Sequence, residues 1–379
     1  MRGHWILMMD GFFTATIVAA FIFALELFSS SVVLAGEARR LDSDWEAVVK
    51  TAKAEGQLAI YANTSFEAIF PEFRKKYPEI KITYVTGVGA PDVVPRVLSE
   101  QRGGKFLGDL ALLGGSGLYA LYQAKALDPL KPALLLPEVV DESKWWEGRH
   151  DYLDKERNFI FSFNGVSRVD VVYNKELVDP KELKSYWDLL NPKWKGKIVA
   201  FSHIQSPHRY FYYHPDLGQK FLTRLYGEMK AVQSDSMRQI ADWLAVGKFS
   251  IAVPANGSHR DVKSAQTQEL PIGTFKPDQF KEGANLNTAI GIVALLKQAP
   301  HPNAAKLALN WLLSREGQLA FQVHEKRLAD SLRIDIPKND IAPEVRRVAG
   351  VKYFSSKDPE FIDPKPIRDL ISKATGASK

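Results

Sequence analysis

Residues 45–117 read WEAVVKTAKAEGQLAIYANTSFEAIFPEFRKKYPEIKITYVTGVGAPDVVPRVLSEQRGGKFLGDLALLGGSG. Two periodicities alternate along this stretch. The amphipathic run Trp45–Glu55 stops at Gly56, a residue suited to a helix C-cap. Leu58–Ala62 is short and apolar, the pattern of a buried strand. Asn63, Thr64 and Ser65 then supply N-cap chemistry before a helix predicted over Phe66–Tyr77 and closed by Pro78. Ile80–Val85 alternates as a strand, Val93–Gln101 is helical again, and Asp109–Leu113 is a third strand ending in Gly114-Gly115-Ser116-Gly117. This β-α-β-α-β order implies an α/β protein whose sheet is mixed but mainly parallel, with helices on both faces. In such sheets ligands bind outside the carboxyl ends of the strands.

The rest of the chain repeats the grammar. Phe159–Phe163 and Asp170–Tyr173 are strands separated by Asn164-Gly165, and Ile198–Phe201 is a strand ending at Ser202-His203. Pro215–Met229 and Ser236–Val246 are helical, and Phe249–Val253 is a strand that runs into Pro254-Ala255-Asn256-Gly257-Ser258. Ala289–Leu296 is strongly apolar, and Ala304–His324 is an amphipathic stretch interrupted around Ser314–Gly317. Beyond Asp335, Pro337, Pro343, Pro359 and Pro364 punctuate short helical patches, the pattern of a segment that wraps over a body.

Composition narrows the function. The 379 residues are too many for one ordinary module and suggest two lobes. Zero cysteines exclude disulfides, thiolate metal sites, iron–sulfur clusters, a cysteine nucleophile and an acylated-cysteine anchor. The formal charge of +6 is small for this length, and no basic run reads as a nucleic-acid stripe. Residues 1–35 read as an export signal: Arg2 and His4 precede the apolar run Phe12–Leu25, and Val33-Leu34-Ala35 suits cleavage after Ala35. Without that segment 49 basic residues face 42 acidic ones, +7. Residues 6–28 left uncleaved as an anchor would instead suggest a sensor ectodomain.

Three phrases carry a resemblance: Gly165–Val178 (GVSRVDVVYNKELV), Tyr186–Val199 (YWDLLNPKWKGKIV) and Asp242–Ile251 (DWLAVGKFSI). With Ala304–Leu319 and the exported start, the chain resembles the periplasmic substrate-binding proteins of ABC importers, in the type II cluster of ferric-iron, thiamine and putrescine binders. The likeness covers most of residues 41–325. It implies a receptor rather than an enzyme, working as a freely diffusing periplasmic monomer without a cofactor or nucleic acid. Its partners would be a small-molecule or ion ligand, held between two lobes, and a membrane permease. The implied layout is a signal peptide (1–35), the first part of lobe 1 (36–164), lobe 2 (165–286), a return to lobe 1 (287–325) and a C-terminal helical wrap (326–379). Phe163, Asn164, Gly165 and Asn287 would form the hinge.

The ligand is less legible than the class. The strand-end loops offer Asn63, Thr64, Ser65, Gly115, Ser116, Ser202, His203, Asn256, Gly257 and Ser258 as binding residues, because hydroxyls and free N–H groups at helix starts suit an anion. The same residue types also serve as plain caps and turns. Arg209 and Arg260 could grip an anion with two donors each. Iron-binding members of the resembled family carry two adjacent tyrosines just after the strand matching Phe249–Val253, where this chain has Pro254–Ser258. A metal alternative therefore rests on His203, Tyr212 and Tyr213 in the loop-to-helix stretch Ser202–His214. An exported hydrolase using His203 or His259 is the alternative of another class, although Gly114–Leu118 lacks the final glycine of a nucleophile elbow.

Overall fold

The computed structural model of the protein describes residues 41 and 43–376, apart from 88–89, 205, 258, 289–290, 325–328, 358–360 and 362. The export segment and Ser258 lie outside the described residues. A helix over 43–55 leads through Gly56 into β1 (Gln57–Asn63), followed by β2 (Lys81–Gly87) and β3 (Leu110–Leu112). The single helix expected over 66–77 is two pieces, a 3-10 segment Thr64–Ile69 and a helix Pro71–Lys76. Pro71 has no N–H with which to continue a helix, but its fixed φ suits the start of one. The break turns Phe70 and Phe73 inward together, each packed on Trp311 at 5.7 and 5.3 Å between ring centres.

Next along the chain come β4 (Leu127–Asp128), β5 (Asp151–Tyr152), β6 (Ile160–Ser162), β7 (Val166–Arg168) and β8 (Val172–Asn174). They are followed by β9 (Ile198–Phe201), β10 (Val232–Ser234), β11 (Ile251–Ala252) and β12 (Ile272–Thr274). Last come β13 (Ala284–Asn287), β14 (Ile292–Leu296) and β15 (Tyr353–Phe354). The first sheet runs β2-β1-β3-β14-β6-β5, with β4 also on β14, and the second runs β10-β9-β11-β8-β12. Both sheets are mixed. Pairing is parallel along β2-β1-β3 and along β10-β9-β11, as the repeated strand–helix units require. It turns antiparallel at β14, β6 and β8, because the chain passes between the sheets twice, in opposite directions.

Each sheet is covered on both faces. In β14, Val293 and Leu295 join one apolar cluster while Ile292, Ala294 and Leu296 join the other, which is why this strand is apolar at every position. In β9, Ile198 and Ala200 face the cluster of the second lobe that holds Tyr210 and Phe221, and Val199 faces the opposite side. A third, three-stranded sheet, β15-β13-β7, joins the two lobes, with Val166 opposite Asn287 in its register. The amphipathic stretch 302–324 forms two helices, Pro302–Leu313 and Arg315–His324, broken at Ser314, whose Oγ accepts from the Gly317 N–H at 3.2 Å. The C-terminal segment crosses from the first lobe to the second, where the helix Lys365–Thr375 buries Ile367 and Ile371 in the second lobe's core. Among the described residues no helix is long and apolar enough to cross a membrane.

The candidate ligand cleft and its hinge

The carboxyl ends of the parallel strands carry most of the polar residues singled out in the sequence. Asn63 ends β1 opposite Gly87, and Thr64 and Ser65 open the 3-10 segment that follows. β3 ends at an extended Gly114, the N-cap of the helix Gly115–Gln123, with Gly115 buried and Ser116 exposed in its first turn. The first N–H groups of that helix have no acceptor within it, the usual condition at a helix start. A side chain at Gly114 would meet open space.

In the second lobe, β9 ends at Phe201, and the N–H of the following Ser202 donates to the Ser234 carbonyl at 2.9 Å. His203 is exposed, with its ring edge-on to Phe201 at 5.1 Å. β11 leads into a cis Val253–Pro254 bond and then Ala255, whose N–H donates to the Asp170 carbonyl at 3.0 Å. The Asn256 carbonyl accepts from the His259 N–H at 3.1 Å, and Gly257 lies close beneath Thr274. His259 caps the helix Arg260–Thr267 through its Nδ1, 3.3 Å from the Asp261 N–H. Arg260 is exposed at the same helix start.

The helix Ser206–Tyr213 follows β9 and splits the sequence's candidates. Arg209 is half-buried, and its Nε is buried without a hydrogen-bond partner. Tyr212 and Tyr213 pack on each other at 4.8 Å, and Tyr213 also stacks on Phe361 at 4.0 Å between ring centres. These contacts tie Tyr213 to the C-terminal segment, whereas His203 lies edge-on to Phe201. Among the described residues no group of three or more His, Asp or Glu side chains is placed to hold a metal ion.

His208, in the same helix, is 1% exposed, with Nε2 3.5 Å from the Tyr226 hydroxyl. Burial pulls its pKa down to about 4, against a smaller upward pull from a backbone hydrogen bond to Phe201. In the unfolded chain the group keeps a value of roughly 6.5, so between those two values only the unfolded state takes up the proton. Stability should therefore be complete above that window and fall as pH drops through it, by about 3 kcal/mol for this group. Burial lowers His150 and His214 in the same sense. Urea unfolding at several pH values between 4 and 7 reads the slope, and His208→Gln should flatten it. An unchanged slope would remove His208 as its source.

The hinge sheet holds polar groups that the sequence did not reveal. Asn164 Oδ1 accepts from the Asp330 N–H at 2.9 Å, and the Gly165 N–H donates to the Asp330 carbonyl at 2.8 Å. A Cβ at Gly165 would sit 2.5 Å from the Arg347 Nη1 and 2.7 Å from a Leu332 methyl, so a larger residue here would have to displace the ends of both side chains. Asp330 pairs with Arg347 at 3.1 Å and with Lys338 at 2.9 Å. Asp170, fully buried between β7 and β8, has its carboxyl pKa raised by burial and accepts from Asn285 Nδ2 at 2.7 Å. Phe163 donates its N–H to Gly291 and accepts from Leu332. Arg168, Asp170, Asp330, Lys338 and Arg347 escaped the sequence reading. One clue was present: the polar Ser167, Arg168 and Asp170 inside an otherwise apolar strand pattern.

Two lobes of mixed sheet, joined by a pair of crossing strands with loop-borne polar groups at the strand ends, define the two-lobed type II periplasmic-binding-protein fold. Solved structures share it. The fold is similar to that of FutA (IdiA) from Trichodesmium in complex with iron and citrate (TM-score 0.60, 21% identity, 85% of this chain and 98% of that one). It is also similar to AfuA from Actinobacillus pleuropneumoniae with bound fructose-6-phosphate (TM-score 0.54, 16% identity, 85% and 99% covered). The family model for bacterial extracellular solute-binding proteins matches residues 60–319, and the chain belongs to that family. A 52-residue stretch is 40% identical to iron uptake protein A1 of Synechocystis and spans 14% of this chain and 14% of that protein.

Proposed function

We propose that the protein is an exported receptor, its signal removed after about Ala35, that captures a small molecule or ion between its lobes and delivers it to the permease of an ABC importer. The observation that carries this reading is the antiparallel pair β7–β13, the crossing at which two separately packed α/β lobes meet. Phe163, Asn164, Gly165 and Asn287 belong to that crossing and act as its hinge. Closure brings the loops at Gly115–Ser116 and Asn63–Ser65 against those at Ser202–His203 and Asn256–Gly257. A ligand touching both lobes then stabilises the closed form over the open one. The helix starts, together with Arg209 and Arg260, favour an anion. The capping role of His259 and the ring contact of His203 favour binding over hydrolysis.

Ferric iron is the second reading, favoured by the likeness to iron uptake protein A1. Its local support is weaker, since β11 is followed by Pro254-Ala255-Asn256-Gly257 and Tyr213 is engaged with Phe361. Native mass spectrometry of the mature protein from its host should find a trapped ligand, and small-angle scattering should show a smaller radius of gyration on adding it back. No compaction with any extract would sink the closure mechanism. Undiminished metal uptake by a Tyr212→Phe, Tyr213→Phe double variant would dispose of the iron reading through those residues.

A further inference from the structure

A cavity of about 350 Å³ lies where the first lobe, the returning hinge strand and the C-terminal segment meet. Trp146, Arg149, Asp151, Tyr152 and Arg157 line it from the first lobe, and Thr288 lines it at the end of β13. Tyr353, Ser355 and Lys357 close it from the C-terminal segment. It shares no residue with the strand-end loops of the cleft. Its size is at the lower end of the roughly 300–1,000 Å³ typical of small-molecule pockets.

Five buried polar atoms in this lining have no hydrogen-bond partner: Trp146 Nε1, Asp151 Oδ2, Tyr152 OH, Thr288 Oγ1 and Ser355 Oγ. Tyr152 and Thr288 are only 5% and 2% exposed. Native proteins pair the great majority of such groups, so five around one cavity ask for a common partner. Four of the five charged side chains in the lining are ion-paired. Asp151 Oδ1 pairs with Lys357, Arg149 with Glu147 at 2.7 Å, and Arg157 donates to the His150 carbonyl at 2.8 Å. What remains is one carboxylate oxygen that needs a donor, one indole N–H that needs an acceptor, and three hydroxyls that serve as either. The rings of Trp146, Tyr152 and Tyr353 supply apolar faces.

We infer that this cavity is a second ligand site, separate from the cleft, for a neutral polyhydroxyl molecule of monosaccharide size. A hydroxyl group both donates and accepts, so several on one small ring answer all five atoms. A carboxylate or phosphate would lie against Asp151 Oδ2, and an amine would leave the indole N–H without an acceptor. The site does not depend on the identity of the cleft ligand.

Calorimetric titration of the mature full-length chain with D-glucose and with myo-inositol tests the assignment, with citrate and spermidine as the anionic and cationic comparisons. Saturable one-site binding of at least one polyol is expected, weakened about tenfold by Tyr152→Phe and by Thr288→Val, each of which removes one hydrogen bond. Ser355→Ala, on the half-buried C-terminal wall, gives the same reading should either core variant fail to fold. The assignment is overturned if neither polyol binds, if only citrate or spermidine does, or if the folded variants bind as the parent does. Should the hydroxyl deletions raise the unfolding temperature without any polyol dependence, the five atoms are merely solvated, and that too overturns it.

Discussion

Arg347→Met is expected to lower folding stability by about 3–5 kcal/mol, the range for removing one partner of a buried ion pair. Arg347 is 9% exposed, and desolvation on burial lowers its pKa, with Asp330 pulling it back up. Its Nη2 donates to Asp330 Oδ1 at 3.1 Å and to the Ser331 carbonyl at 2.5 Å, while its guanidinium lies 4.6 Å from the centre of the Trp146 ring. Methionine keeps much of the stem's packing and removes the charge. Asp330 would then depend on Lys338, whose pKa burial already pulls down to about 8. Two-state analysis of urea unfolding would measure the loss. An exposed pair gives the contrast: Lys365→Ala, which breaks the bond to Asp369, should leave the urea midpoint nearly unchanged. A cost below about 1 kcal/mol for Arg347→Met would mean that Lys338 alone neutralises Asp330. Because the same cluster binds Asn164 and Gly165, the variant should also loosen the crossing between lobes.

The parts of this fold that were legible are those whose signal is local. Leu58–Ala62 and Ile198–Phe201 are largely buried, and Ile80–Val85 alternates covered Ile80, Ile82 and Tyr84 with exposed Lys81 and Thr83, so these patterns mark β1, β9 and β2 directly. The break at Ser314 was visible because serine is a poor helix interior and a good N-cap. Strands of two or three residues, such as β4, β5, β10 and β15, were not legible. Their identity comes from a partner far along the chain, as with Leu127 on Leu296 and Tyr353 on Ala284. The candidate site divides in the same way. Gly115, Ser202 and Asn256 could be placed because each follows a strand that can be recognised, and a strand's end fixes where its loop lies. Asp330, Lys338 and Arg347 sit in a proline-punctuated segment without periodicity, where single charges read as solvated surface. Only the return of that segment over Gly165 makes them interior residues.

The second large effect is expected at Gly283, where the C-terminal segment joins the hinge sheet. Gly283 has φ +92°, and a Cβ built there would lie 2.1 Å from the Lys352 carbonyl oxygen, against backbone rather than a movable side chain. The residue has little freedom to move away. Its N–H donates to Phe280 at 2.9 Å, and its carbonyl accepts from the hydroxyls of Tyr210 at 3.1 Å and Tyr186 at 3.3 Å. Both tyrosines are fully buried. Gly283→Ala must therefore push β15 off β13, breaking the Ala284 N–H to Lys352 bond of 3.0 Å, or else disturb the tyrosine pair. Positive φ alone costs a non-glycine residue roughly 1–2 kcal/mol, and overpacking against a fixed wall adds about 1–3 more. Gly350→Ala separates the two contributions, because Gly350 has φ +80° with nothing within 4 Å of its built Cβ. It should lose only the conformational part. Hydrogen exchange makes the structural claim specific: in Gly283→Ala the Ala284 amide should lose protection while amides in β1 and β9 keep theirs. Equal costs for the two alanine variants, with Ala284 still protected, would show that β15 yields freely and that the C-terminal segment does not hold the hinge.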